Sequence, residues 1–135
     1  GIEDVEPMVA AVGPDNMVVW GIGELNSTAA RKLGARGHTS GTAIVAAGLA
    51  DALSNAHRSG DFSEALRLEG LIRGLELVRF RDGRTYNYSA VVEAMIVGGF
   101  DDVVAGVGHD LNPRVPEDVA EEVRKALEPI RAYHG

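Results

Sequence analysis

"MVVWGIGELNSTAARKLGARGHTSG" occupies residues 17–41, and its reading decides the fold. The opening "MVVWGI" (17–22) is apolar without alternation, the pattern of a strand buried on both faces. "ELNSTAARKLGA" (24–35) reads as a helix ended by Gly34, and "RGHTSG" (36–41) as a second short strand. Strand, helix and strand joined by short connections imply a parallel sheet, doubly wound or closed into a barrel. Thr39, Ser40 and Gly41 crowd the end of the second strand, just before an apolar run resumes. They either line a ligand site or merely end a strand and begin a helix.

Upstream, "DVEPMVAAV" (4–12) predicts a helix with Val5, Met8, Val9 and Val12 on one face, stopped by "GPDN" (13–16). Downstream, a small-residue helix covers roughly 43–58, and beyond Gly60 the strand signals vanish. Residues 62–80 carry Phe62, Ala65, Leu66, Leu68, Leu71, Ile72 and Leu75 at helical spacing. "RDGRTYNY" (81–88) is a turn, 89–99 a helix, and 101–114 irregular. A last helix, about 116–132, starts with Pro116, Glu117 and Asp118, which suit a first turn. The chain thus divides into an α/β part (1–60) and a helical part (61–135).

Two strands make neither a doubly wound sheet nor a barrel, which takes eight strands and about 250 residues. Left alone, the pair exposes two unpaired edges, an aggregation liability. The expectation is therefore an incomplete sequence, part of a larger parallel sheet or barrel.

Composition narrows the partners. The chain has 135 residues, 45% of them hydrophobic, and carries a formal charge of −7. That is enough apolar material for a core, and an acidic balance argues against nucleic acid and anionic membrane as partners. No cysteine is present, which excludes disulfides and thiolate metal sites and suits a cytoplasmic protein. No apolar run approaches the roughly 18–20 residues of a membrane span.

"GIGE" (21–24) lies at the end of the first strand, so Gly21, Ile22, Gly23 and Glu24 would lie at the same strand-end edge as Thr39–Gly41, the mouth if the strands belong to a barrel. A dinucleotide fingerprint needs glycine where Asn26 stands, and a phosphate loop needs Gly-Lys-Ser/Thr; both are rejected. Glu24 is either a polar wall of the site or a helix-start carboxylate facing the dipole. His38 is read as a buried histidine satisfied by hydrogen bonds rather than an acid/base catalyst, and His109-Asp110 as surface loop. His57 and His134 lie at helix ends, where positive charge suits the dipole. "RFRDGR" (79–84) is read as a surface run of salt bridges. No His/Asp/Glu cluster has metal-ligand spacing.

Taken in order, "VVWGIGE" (18–24), "GHTSG" (37–41) and "SGDFSEALRLEGLIRGLELVRFRDGRTYNYSAVVEAM" (59–95) resemble the dihydrodipicolinate synthase/N-acetylneuraminate lyase family. The look is closest to its sugar-acid dehydratase branch, typified by 5-dehydro-4-deoxyglucarate dehydratase. The resemblance covers nearly all of this chain but only the C-terminal half of a family member. It implies the C-terminal part of a (β/α)8 TIM barrel, with 17–22 and 36–41 as strands seven and eight and a helical extension behind them. It also implies a lyase that holds pyruvate or a 2-keto acid as a Schiff base on a lysine of strand six, with a tyrosine of strand five relaying protons. Neither cofactor nor metal is implied, and a homo-oligomer, often a tetramer, is. Gly21, Gly23, Glu24, Thr39, Ser40 and Gly41 become the expected substrate-binding residues.

The register of "DVE" (4–6) puts the family's lysine a few residues before Gly1; another register puts Glu3 at its place, which would make the enzyme dead. The only two lysines, Lys32 and Lys125, sit in predicted helices beside other charges. A Schiff-base lysine needs a desolvated ammonium or a neighbouring cation, and barrel chemistry sits at strand C-terminal ends. This chain is expected to be inactive until a preceding half completes it. The alternative is a non-catalytic half-barrel that binds or regulates a partner. Val92, where many members have lysine, and "VAGVGHDLNP" (104–113) depart from the family pattern.

Overall fold

Helices fill most of the fold, and the sheet is a single parallel pair. The computed structural model describes residues 1–100, 102–103 and 114–133, so most of the segment expected to be irregular, with His109, Asp110 and His134, lies outside the described residues. In chain order the elements are α1 (Val5–Val12), β1 (Val19–Trp20), α2 (Ser27–Lys32), β2 (Gly37–His38), α3 (Ala47–Ser59), α4 (Phe62–Arg84), α5 (Ser89–Val97) and α6 (Glu117–Leu127). Short 3-10 turns precede α1, join β2 to α3 at Thr42–Ile44, and follow α6 at Glu128–Tyr133.

The parallel pair sets Val19 opposite Gly37 and Trp20 opposite His38. Flanking bonds from Arg36 N to Val18 O and from Thr39 N to Trp20 O, each 2.9 Å, extend it by a residue at either end. Both strands are shorter than the sequence predicts, and β1 is not buried on both faces. Val18 and Trp20 are buried, while Met17 and Val19 are 64% and 48% exposed. Successive strand residues point to opposite faces. The helices cover one face, and nothing among the described residues covers the other.

Helix boundaries follow local chemistry. Gly34, at φ 102°, ends α2, and Gly60, at φ 77°, ends α3, both in the left-handed region that glycine adopts without strain. Asp61 caps α4 by accepting the Glu64 N–H at 3.0 Å. The predicted turn after residue 80 appears as a break in α4 at Arg81, Asp82 and Gly83. The helix expected at 24–35 begins only at Ser27, and the one expected at 43–58 is a 3-10 turn followed by α3. Met8, Val12 and Leu66, assigned to buried stripes from their spacing, are exposed.

The main core joins α3, α4, α5, α6 and the 3-10 turn after it, around Leu49, Leu53, Leu68, Ile72, Leu75, Val123, Leu127 and Ile130. It draws on residues on both sides of position 60. Gly74 lets α4 approach α6 closely: a Cβ there would meet the Ala126 Cβ at 3.2 Å. A smaller cluster, Val5, Trp20, Ala30 and Ala35, packs α1 and α2 on the covered face of β1. No described helix is long and apolar enough to cross a membrane.

Candidate functional site

Parallel strands deliver their C-terminal ends to one edge of the sheet, which brings the loops after β1 and β2 together. Gly21, Gly23, Thr39, Ser40 and Gly41 line one cavity of about 490 Å³. Its other walls come from Arg79, Phe80 and Arg84 of α4, Asn87 and Tyr88 of the following turn, and Val91, Val92 and Met95 of α5. The helical part of the chain thus forms more than half of the mouth's enclosure.

Glu24 does not line the cavity; it lies in a polar network beside it, with no exposed surface. Its Oε1 accepts the Ser40 hydroxyl, and Ser40 Oγ in turn accepts the Ala43 N–H at 2.9 Å. Glu76, equally buried, accepts from Glu24 N at 3.1 Å and from Thr42 Oγ1 at 3.2 Å, and it pairs with Arg79. Arg79 donates onward to the Asn87 backbone and side-chain oxygens at 3.2 and 2.8 Å. Both mouth loops are therefore tied to α4 and to the turn after it.

The two glycines facing this network are there for space. A Cβ on Gly23, whose φ is 63°, would run into the Glu76 carboxylate, and one on Gly41 would run into the Arg79 guanidinium.

Burial, reinforced by the negative charge of Glu76, pushes the Glu24 carboxyl up to about 7. Its Oε2 is the only buried side-chain oxygen or nitrogen among the described residues without a hydrogen-bond partner. A carboxyl that holds its proton near neutrality, joined to a hydroxyl in the mouth wall, is chemically suited to steady a polar group or exchange a proton.

The reading of Glu24 as the helix-start carboxylate is corrected. Glu69 fills that role, accepting from Asn26 N at 2.9 Å, Thr28 N at 3.0 Å and Ser27 Oγ at 3.2 Å. Nor is Arg79 part of a surface run, since it is buried against Glu76. Arg81 does form surface pairs, with Glu122 at 2.8 Å and Asp82 at 3.9 Å. His57 is buried, and burial lowers it to about 4, so it is neutral at the end of α3 rather than a cation serving the dipole. Its Nε2 lies 3.1 Å from Thr28 Oγ1. His38 is half-buried, meets His57 edge to face at 5.5 Å between centroids, and has no side-chain hydrogen bond among the described residues.

Lys32 and Lys125 lie outside the mouth: Lys32 Nζ sits 5.1 Å from the Phe62 ring centroid, and Lys125 pairs with Glu121 at 3.7 Å. Glu76, Thr42 and Asn87 were missed from the sequence. The signal for the first was present, because Glu76 and Arg79 continue the spacing of the buried Ala65, Leu68 and Ile72. A charged pair on an apolar stripe marks a buried network.

The chain is an α/β protein with a parallel strand pair and a helical layer, the fold of part of the dihydrodipicolinate synthases. Dihydrodipicolinate synthase from Bacillus clausii superposes at a TM-score of 0.82 with 20% identity, over 94% of this chain and 43% of that one. The synthase from Oceanobacillus iheyensis gives 0.81 with 21% identity, over 95% and 42%. A catalytic lysine mutant of the Ruminococcus gnavus sialic acid aldolase gives 0.76 with 17%, over 98% and 42%. At these identities the likeness is one of fold, and the chain spans less than half the length of each neighbour. No family profile and no curated protein matches the sequence.

Proposed function

We propose that residues 1–135 form the closing section of a (β/α)8-barrel lyase, with β1 and β2 as its seventh and eighth strands. The observation that carries this reading is the mouth cavity, where both strand ends meet Ser40, hydrogen-bonded to the buried Glu24, under a roof of helices. The exposed Met17 and Val19 support it, because a barrel interior would cover that face of β1. The rest of the barrel, and the lysine, would come from a preceding half.

In that enzyme the lysine amine attacks the keto carbon of pyruvate or a 2-keto sugar acid and water leaves, giving a protonated imine. The imine accepts the electron pair released when a neighbouring C–H or C–C bond breaks. Dehydration, as in the sugar-acid branch, and aldol cleavage both use this step. Backbone groups of Gly21, Gly23 and Thr39–Gly41 hold the polar tail of the substrate. Glu24 orients Ser40 toward it. The enzyme works in the cytoplasm as a homo-oligomer.

The test is intact-mass spectrometry of the purified protein after incubation with pyruvate and borohydride. A second polypeptide carrying a reduced pyruvate adduct is expected, with the 135-residue chain, whose only lysines are Lys32 and Lys125, left unmodified. If no polypeptide in the preparation takes an adduct, the lyase reading fails. A half-barrel that binds or regulates a partner, favoured by the position of both lysines away from the mouth, then replaces it.

A further inference from the structure

A second cavity, of about 230 Å³, lies between α2, the start of β2 and α3, and shares no residue with the mouth. Arg31, Arg36 and Arg58 line it together with His38, Ser27 and Ser54, and no carboxylate does, in a chain whose formal charge is −7. None of the three guanidiniums is ion-paired among the described residues, a state they share with Arg73, Arg84 and Arg131, whereas Arg67, Arg79, Arg81, Arg114 and Arg124 are paired. Arg31 gives one N–H to the Ala35 carbonyl at 3.1 Å, and Arg58 gives one to the Asn55 side-chain oxygen. The nearby Glu69 carboxylate is occupied by the amides and hydroxyl at the start of α2.

Three like charges on the wall of one concavity, two of which also border the neighbouring cavity beside α1, favour an anion among them. We infer that this cavity is an oxyanion site that takes phosphate or the phosphoryl group of a small metabolite. A carboxylate has two oxygens and satisfies two guanidinium forks at most. A phosphoryl group offers three or four oxygens and up to two negative charges, matching three arginines and the Ser54 hydroxyl, since Ser27 already donates to Glu69. Its occupant would sit beside β2, just before Thr39 enters the mouth. The inference does not depend on the lyase reading.

Calorimetric titration of the purified protein at low salt, with inorganic phosphate in one arm and glycerol phosphate in the other, tests it. Saturable one-to-one binding is expected in at least one arm. Tighter binding of the ester would identify a metabolite as the ligand, and equal or tighter binding of phosphate would identify the free ion. Arg36→Gln and Arg58→Gln, both at exposed positions, should each weaken binding roughly tenfold or more, as loss of a charge-assisted hydrogen bond does. Arg73→Gln, an exposed change outside the cavity, should leave it unaltered. Absence of saturation in both arms overturns the site. So does equal weakening by Arg73→Gln, which would reduce the binding to general charge attraction.

Discussion

The two hydrophobic clusters differ in completeness. The helical one, from Leu49 and Leu53 through Leu68, Ile72 and Leu75 to Val123, Leu127 and Ile130, is enclosed by its own elements. The one around Trp20 has four buried residues, two of them alanines, and lies on one face of a strand whose other face is open. Burial stabilises by roughly 25 cal/mol per Å² of apolar surface. Most of what holds this chain together therefore resides in the helices, while the strand pair and its mouth borrow order from α4. The region that holds the candidate site is the less self-sufficient one.

The sharpest way to break that dependence is at Glu76, the carboxylate through which both mouth loops reach α4. Glu76→Leu leaves Arg79 buried without its partner and should cost about 3–5 kcal/mol in urea denaturation. The double change Glu76→Leu, Arg79→Leu should cost much less than the sum of the two single ones, because neither charge is then left alone. Additive losses would mean that the pair does not act as a unit.

Within the helical cluster, Ile72→Ala should cost roughly 2–5 kcal/mol, since the site is fully buried and enclosed on all sides. Hydrogen exchange would sharpen the contrast. Amides of α4 should open only with global unfolding, and that of Thr39, bonded to Trp20 O, through a cheaper local opening. Equal protection in both places would remove the distinction drawn between the two regions.

How much of this was legible in the sequence follows the same division. The parallel pair and the helical run after residue 60 could be read because glycines and apolar spacing report local geometry. Strand lengths and faces could not. The run "MVVWGI" is apolar at every position and so reads as doubly buried, whereas the described residues cover only one side of it. The mouth glycines could be located from strand order alone. Glu76, Glu69 and Asn87 come from distant segments, and no spacing rule joins Glu24 to Glu76. What could be seen was the anomaly of a charge on the stripe running from Ala65 to Ile72.

A smaller effect separates the regions by pH. Glu24 is raised from 4.5 to about 7 by burial and the charge of Glu76, offset in part by Ser40 and Arg79. Its contribution to stability is complete below about pH 4.5 and is lost as pH rises to about 7. His57 is lowered from 6.5 to about 4 by burial, helped by His38 and Arg31 and opposed by Glu69. Its contribution is complete above about pH 6.5 and is lost as pH falls to about 4. Between about pH 4.5 and 6.5 the folded state therefore keeps one extra proton and lacks another, and the two slopes oppose. Glu24→Gln should make stability rise with pH across that window, by up to about 1.4 kcal/mol per unit. His57→Gln should make it fall. Urea midpoints measured across the window decide this, and unchanged slopes in both variants would sink the assignment.

The smallest expected effect bears most directly on the proposed barrel. Met17 and Val19 face away from the helices, and their exposure means that little apolar surface is at stake within the described residues. Val19→Ser should therefore change the stability of residues 1–135 by no more than about 0.5 kcal/mol, as surface changes do. In a protein whose remaining strands close over this face, Val19 would be interior, and the same change should cost about 1–3 kcal/mol. The measurement is a pair of urea denaturations, one on the 135-residue chain and one on a chain extended to carry the remaining strands of the proposed barrel. A large loss in the first would mean that another surface of these residues already covers β1. A negligible loss in both would mean that the open face looks onto solvent, and β1 would then be no barrel strand.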